Sequence, residues 1–108
     1  MDIIESYEKV QDLINENIII LMYFSDKNCG VCNIIKPKLD GILRKYPKVT
    51  SIEINVGILS KIAATFNIFT IPAILVFIEG KETIREARYI NIMDIDSKLS
   101  RYYQMLFD

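Results

Sequence analysis

Hydrophobic residues recur along this chain with two different periods, and each period predicts one type of element. Apolar positions three or four residues apart predict helices over 3–14, 29–46 and 59–66, and a last helix from about 91 onward. Continuous or alternating apolar positions predict strands over 18–24, 51–56, 73–78 and 83–89. The predicted order is therefore α-β-α-β-α-β-β-α, an α/β fold in which helices flank a central mixed four-stranded sheet.

Residues at the ends of these segments predict where elements start and turn. Asp2 is available to cap the first helix, and Asn91 begins an approximate capping box for the last helix. Glu79-Gly80 between two strands predicts a tight hairpin turn. Pro37 lies inside the second helix, where its ring removes a backbone donor and is expected to kink the helix. No linker or low-complexity stretch interrupts the pattern, so residues 1–108 are expected to form one domain.

Composition excludes several classes of function. Thirteen basic residues against fourteen acidic ones give a net charge of −1, so no basic footprint for nucleic acid is present. The sequence contains no histidine, which excludes Ser-His-Asp and Cys-His catalysis and every histidine-based metal site. The longest apolar run, 18–24, is too short to cross a membrane, and the acidic start at residues 1–5 is unlike a secretory signal. A cytoplasmic location is expected.

The candidate chemistry is concentrated in Cys29-Gly30-Val31-Cys32, where a predicted strand ends and a predicted helix begins. The first turn of a helix presents unpaired N–H groups and the positive end of the helix dipole, and both favour a thiolate. Such a position can lower the pKa of a cysteine from about 8.5 to about 3.5–7.5. Cys29 is expected to be exposed at the helix tip, with Cys32 one turn further on. This placement favours a redox pair over two buried structural cysteines.

Three further features follow this motif in an order that resembles the thioredoxin family. Pro37 comes five residues after the second cysteine, Ile71-Pro72 lies some forty residues further on, and Glu79-Gly80-Lys81 follows the next strand. The resemblance covers nearly all of the chain from Ile18 onward, and it implies a thioredoxin-like fold. It also implies a cis peptide bond before Pro72, facing the cysteines. The family's first strand is expected to be missing, since the chain starts directly with a predicted helix.

The resemblance implies that the chain carries out dithiol–disulfide exchange. Cys29 as a thiolate would attack a substrate disulfide, and Cys32 would resolve the resulting mixed disulfide. The residues implied to bind substrate are Gly30, Val31, Thr70, Ile71 and Pro72, with the backbone at Ile71 pairing with the substrate peptide. The implied partners are disulfide-containing proteins and a separate thiol reductase as electron donor. No cofactor, metal, nucleic acid or membrane partner is expected.

Several positions depart from the family's pattern. Asn28 stands where the family has tryptophan, and Arg88 aligns with a glycine that lets substrate approach closely. Tyr23 aligns with a buried acid that assists proton transfer at the second cysteine, and that acid's lysine partner aligns near Ser51. A tyrosine hydroxyl with a pKa near 10 cannot replace a carboxylate base at neutral pH. Glu53 is a candidate substitute acid, although a solvated charge on its strand is the favoured interpretation.

Two alternatives stay open beside the leading prediction, a thiol–disulfide oxidoreductase that reduces protein disulfides. The first is a thioredoxin fold kept for partner recognition, with a slow or vestigial dithiol, and the departures above favour it. The second is a zinc site, since thiolates ligate zinc. Two cysteines fill only half of a tetrahedral site, so a dimer would have to supply the other half.

Overall fold

The computed structural model describes residues 1–107, which form five strands and four helices. The strands are β1 (Asp2–Ile3), β2 (Ile19–Ser25), β3 (Thr50–Asn55), β4 (Ala73–Ile78) and β5 (Lys81–Ala87). The helices are α1 (Tyr7–Glu16), α2 (Gly30–Leu43), α3 (Ser60–Thr65) and α4 (Ile92–Phe107). No helix within residues 1–107 combines the length and the apolar character that crossing a membrane requires.

The sheet is mixed, as predicted, but among residues 1–107 it has five strands instead of four, in the order β1-β3-β2-β4-β5. Strands β1, β3 and β2 run parallel to one another, whereas β4 is antiparallel to β2 and to β5. The expectation that the first strand is missing is therefore wrong. Asp2 and Ile3 pair with Ile52 and Glu53, and a two-residue strand at a sheet edge is too short to show a period.

The first helix also begins later than predicted, because Ser6 and not Asp2 is its N-cap. The Ser6 hydroxyl accepts a hydrogen bond from the Lys9 N–H at 3.2 Å, which satisfies one of the free donors of the first turn. Ile3, predicted to face the core from this helix, lies in β1 and is 62% exposed. The helical spacing of residues 3–14 therefore holds only from Tyr7 onward.

Strand β2 is the centre of the molecule, since all seven of its residues are buried. Successive side chains of a strand point to opposite faces, so β2 divides the core into two layers. Ile19, Leu21 and Tyr23 pack with buried residues of α2 and α4. The residues Ile20, Met22 and Phe24 pack on the other face with buried residues of α1 and α3. This arrangement fixes the end of β2, and therefore the loop that follows it.

The remaining elements lie close to their predicted positions. Helix α2 ends at Leu43 instead of Tyr46, which is buried but lies in the turn after the helix. The hairpin between β4 and β5 turns at Glu79 and Gly80, whose φ angles are 50° and 79°, so the predicted turn is confirmed. Asn91 caps α4 as predicted, because its Oδ1 accepts a hydrogen bond from the Asp94 N–H at 3.0 Å.

Candidate active site at the start of helix α2

The two cysteines lie where the sequence predicts, at the end of the loop after β2 and in the first turn of α2. Cys29 is the N-cap of the helix, and it forms a disulfide with Cys32, their Cα atoms being 5.2 Å apart. Cys29 is half-buried, whereas Cys32 is only 1% exposed. Cys29 is therefore the more accessible residue of the pair, although it is half-buried and not fully exposed as the sequence predicted.

The Cys29 sulfur already receives a donor from the helix. The Cys32 N–H donates to Cys29 Sγ at 3.1 Å, which is the bond that an N-cap side chain makes with a free amide of the first turn. In the reduced protein the same amide and the helix dipole would favour a negative charge on this sulfur. The geometry supports a nucleophilic thiolate at Cys29.

The segment around Pro72 lies at the same edge of the sheet. The predicted cis peptide bond between Ile71 and Pro72 is confirmed. Because Ala73 pairs with Phe24, Pro72 lies beside the end of β2, where the chain leaves toward the cysteines. Ile71 and Cys29 pack against the same core cluster. The strand register therefore places the two predicted halves of the site at the same end of the sheet.

The five predicted substrate-binding residues differ in their exposure. Gly30 and Thr70 are exposed, Val31 is 55% exposed, Ile71 is half-buried and Pro72 is buried. A Cβ atom added at Gly30 would meet nothing within 4 Å, so the surface beside Cys29 is open. These residues are either adjacent to Cys29 in the chain or at the same end of the sheet, and their roles toward substrate stay a prediction.

Beneath Cys32 lies Tyr23, which is 0% exposed. Its hydroxyl donates to the Cys32 carbonyl oxygen at 2.7 Å and so ties the first turn of α2 to the sheet. Burial, reinforced by the negative charges of Glu53 and Asp40, raises the pKa of Tyr23 to about 12. Tyr23 is therefore neutral at physiological pH and acts here as a hydrogen-bond donor.

Glu53 lies next to Tyr23 and is not the solvated charge that the sequence favoured. Glu53 is the β3 residue in register with Tyr23. Ser51, near which the lysine partner of the family's buried acid aligns, is in register with Leu21 instead. Only 13% of the Glu53 side chain is exposed. Ser25 Oγ donates to Glu53 Oε2 at 2.8 Å, and Lys36 Nζ lies 2.7 Å from Glu53 Oε1.

Sequence reasoning missed Ser25 and Lys36, although two periodicities could have found them. Ser25 follows Tyr23 by two residues on β2 and so shares its face, and Lys36 lies one helical turn after Cys32.

A cleft of about 320 Å³ opens beside Ser25 and Lys36, lined by Asp26, Asn33, Asn55 and Ile58 among other residues. Glu53 also lines this cleft, so the cleft connects its carboxylate with solvent. Among residues 1–107, no group of three or more cysteine or carboxylate side chains could hold a metal ion.

Comparison with known proteins agrees with this geometry. The family model Thioredoxin matches residues 3–100. The chain is 30% identical over 102 residues to the thioredoxin-like protein YdfQ of Bacillus subtilis, covering 94% of this chain and 91% of that protein. It is 29% identical over 99 residues to thioredoxin H8 of Arabidopsis thaliana, covering 92% of this chain and 66% of the relative.

Solved structures support the fold independently. Oxidised thioredoxin from Plasmodium falciparum superposes with a TM-score of 0.84 at 21% identity, covering 95% of this chain and 98% of the other. The family match spans most of the chain, and the structure pairs Cys29 with Cys32 at the start of α2. The chain therefore belongs to the thioredoxin family and is a thiol–disulfide oxidoreductase.

Proposed function

We propose that this protein reduces disulfide bonds in other proteins, with Cys29 as the nucleophile and Cys32 as the resolving thiol. The contrast between the two sulfurs carries the proposal. Cys29 is half-buried at the helix tip and accepts the Cys32 N–H, whereas Cys32 is 1% exposed. A protein disulfide can therefore reach the first sulfur but not the second.

The reaction takes place in two exchanges. The Cys29 thiolate attacks one sulfur of the substrate disulfide, which forms a mixed disulfide and releases the other substrate sulfur as a thiolate. The Cys32 thiol then loses its proton and attacks Cys29 Sγ, which releases the second substrate thiolate. Two cysteines of this chain are oxidised and one substrate disulfide is reduced. A separate thiol reductase is the proposed electron donor that returns the pair to the dithiol.

The proposed binding surface consists of the residues that border Cys29. An extended substrate segment lies against the backbone at Ile71, where Pro72 contributes no N–H of its own. Gly30 leaves open space beside the attacking Cys29, and Val31 and Thr70 offer exposed contact surface. A reducing compartment such as the cytoplasm is the proposed setting, because the resting enzyme must be a dithiol.

Glu53 is the proposed acceptor of the Cys32 proton. It is in register with Tyr23, whose hydroxyl contacts Cys32, and it lines the open cleft beside α2. Cys32 does not itself line that cleft, so a water molecule between the cleft and the sulfur would carry the proton to the carboxylate. Tyr23 itself is excluded as a base, since its pKa is about 12.

Reduction of insulin disulfides, with dithiothreitol as the electron source, tests the proposal. We expect the protein to accelerate the reaction above the dithiothreitol background, and Cys29→Ser to abolish the acceleration. Ile34→Ala is a matched control, because it changes an exposed side chain of the same helix and keeps both sulfurs. If the wild-type protein gives no acceleration, the proposal that it reduces disulfides of other proteins is refuted, and the partner-recognition alternative is favoured.

A further inference from the structure

Arg88 has an unusual backbone conformation at the edge of the site. Three non-glycine residues within residues 1–107 have positive φ angles, namely Asn67, Glu79 and Arg88. Asn67 ends the turn after α3, and Glu79 belongs to the hairpin turn before Gly80. Arg88, with φ of 70°, follows the last residue of β5 and is the central residue of a γ-turn, in which the Tyr89 N–H donates to the Ala87 carbonyl oxygen at 2.8 Å. Long side chains rarely adopt this conformation, and such residues cluster at functional sites.

The strand pairing places Arg88 beside the predicted substrate-binding segment. Ala87, the last residue of β5, pairs with Ala73 at the start of β4. The Arg88 N–H donates to the Pro72 carbonyl oxygen at 2.8 Å. The end of β2, the start of β4 and the end of β5 therefore lie at one edge of the sheet, and this edge carries Cys29.

The guanidinium group of Arg88 has no carboxylate partner within residues 1–107. Arg85, three residues earlier, is paired with Glu82 and bonds two backbone carbonyls. Glu86 accepts the Asn91 N–H at 2.8 Å and so is directed to the start of α4. Arg88 is exposed and lies over the ring of Tyr89, 5.2 Å from its centroid. This cation–π contact stabilises the guanidinium but leaves its positive charge unpaired.

We propose that Arg88 selects substrates that carry an acidic residue a few positions from the reacting cysteine. The inference rests on the proposed function, and it assigns a specificity to the same site. Adjacent strands are about 4.8 Å apart, so the end of β5 lies about 10 Å from the end of β2. An extended peptide covers that distance in about three residues. A carboxylate at that spacing meets a guanidinium whose planar fork binds it through two hydrogen bonds.

The experiment compares two sets of three peptides, each peptide with a single cysteine and one variable position, which lies three residues before the cysteine in one set and three residues after it in the other. That position is Glu, Gln or Lys, and each peptide is supplied as its homodisulfide. Single-turnover reduction by the fully reduced protein is quenched with acid, and the free peptide thiol is measured by mass spectrometry. The Gln peptide reports the dithiol reaction itself, whereas the Glu-to-Lys rate ratio reports the contribution of Arg88.

We expect the wild-type protein to reduce the Glu peptide about threefold to fivefold faster than the Lys peptide, and salt to weaken the preference. Arg88→Gln should abolish the ratio and leave the Gln peptide nearly unaffected. Arg88→Lys should keep part of the ratio. Lys81→Gln, which removes an exposed cation at the opposite end of β5, is the matched control and should retain it.

Two results would overturn the proposal: a wild-type ratio near one for peptides of both orientations, or a ratio that survives in Arg88→Gln. If the Gln peptide is not reduced at all, the proposed function fails instead. The two failures are therefore distinguishable in one data set.

Discussion

Tyr23→Phe tests the contribution of one hydrogen bond, which joins the Tyr23 hydroxyl to the first turn of α2, without changing the packing of the core. The phenylalanine ring fills the same buried space, so the change removes one hydroxyl and little volume. Tyr23 is 0% exposed, and its hydroxyl donates to the Cys32 carbonyl oxygen at 2.7 Å. The Cys32 carbonyl also lies in the first turn of α2, where the helix itself offers it an N–H. The substitution therefore leaves no buried acceptor without a donor.

The difference in unfolding free energy between the wild-type protein and Tyr23→Phe depends on pH, because the lost hydrogen bond and the ionisation of Tyr23 act in opposite directions. At neutral pH the variant loses one buried hydrogen bond, about 1 kcal/mol of unfolding free energy. The pKa of Tyr23 is raised from 10.0 to about 12 in the folded protein. A group whose pKa is higher in the folded state stabilises fully below its unfolded pKa, and this stabilisation is lost as pH rises through the folded pKa. Near pH 11 the loss in the wild-type protein is about 1.4 kcal/mol.

The two terms are of similar size, so the wild-type protein and Tyr23→Phe should be about equally stable near pH 11. Denaturant unfolding of the oxidised proteins at neutral pH, near pH 10 and near pH 11 measures the difference. Tyr7→Phe, which removes the hydroxyl of a tyrosine that is 43% exposed, is the control for loss of a phenol. If the stability difference between the wild-type protein and Tyr23→Phe does not narrow with rising pH, the assignment of Tyr23 as a buried neutral donor to Cys32 is refuted.

Two other substitutions test the proton acceptor and the cap of α4. Glu53→Gln keeps the shape but removes the base, so the mixed disulfide on Cys29 should resolve at least about tenfold more slowly, measured by acid quench. Glu5→Gln, at the same cleft, should resolve at the wild-type rate, and an unchanged rate in Glu53→Gln would exclude this acceptor. Asn91→Ala removes the cap bond to the Asp94 N–H and should cost about 1 kcal/mol, lowering the Tm in a calorimetric scan by about 4–8 °C. Asn91→Asp should retain the wild-type Tm, and an equal loss in both variants would contradict the capping role.

Much of the fold follows from the sequence, because its signals are strong and local. The continuous apolar run that forms β2 predicts a buried central strand, and the Glu79-Gly80 pair predicts the hairpin that follows β4. The cysteines and Ile71-Pro72 were also found in sequence, since their order along the chain, together with Pro37, resembles that of the thioredoxin family. These features need no knowledge of which strands pair.

What the sequence could not supply depends on contacts between distant segments. Two residues form β1, and only their pairing with β3 makes them a strand. Glu53 alternates like any strand residue, so its burial becomes visible only when the register places it opposite Tyr23 and beneath Lys36. The position of Arg88 likewise depends in part on its bond to Pro72, which lies just before β4 and sixteen residues earlier in the chain.

The most direct test of the central claim is to trap the mixed disulfide. Cys32→Ser and Cys29→Ser, both reduced, are incubated with a disulfide-containing peptide, and covalent adducts are located by mass spectrometry after digestion. Cys32→Ser is predicted to carry one peptide on Cys29, because the more accessible sulfur attacks and no second thiol resolves the mixed disulfide. Cys29→Ser is predicted to stay largely unmodified, because Cys32 is 1% exposed. Adducts that form equally on both variants, or only on Cys32, would contradict the assignment of the two roles.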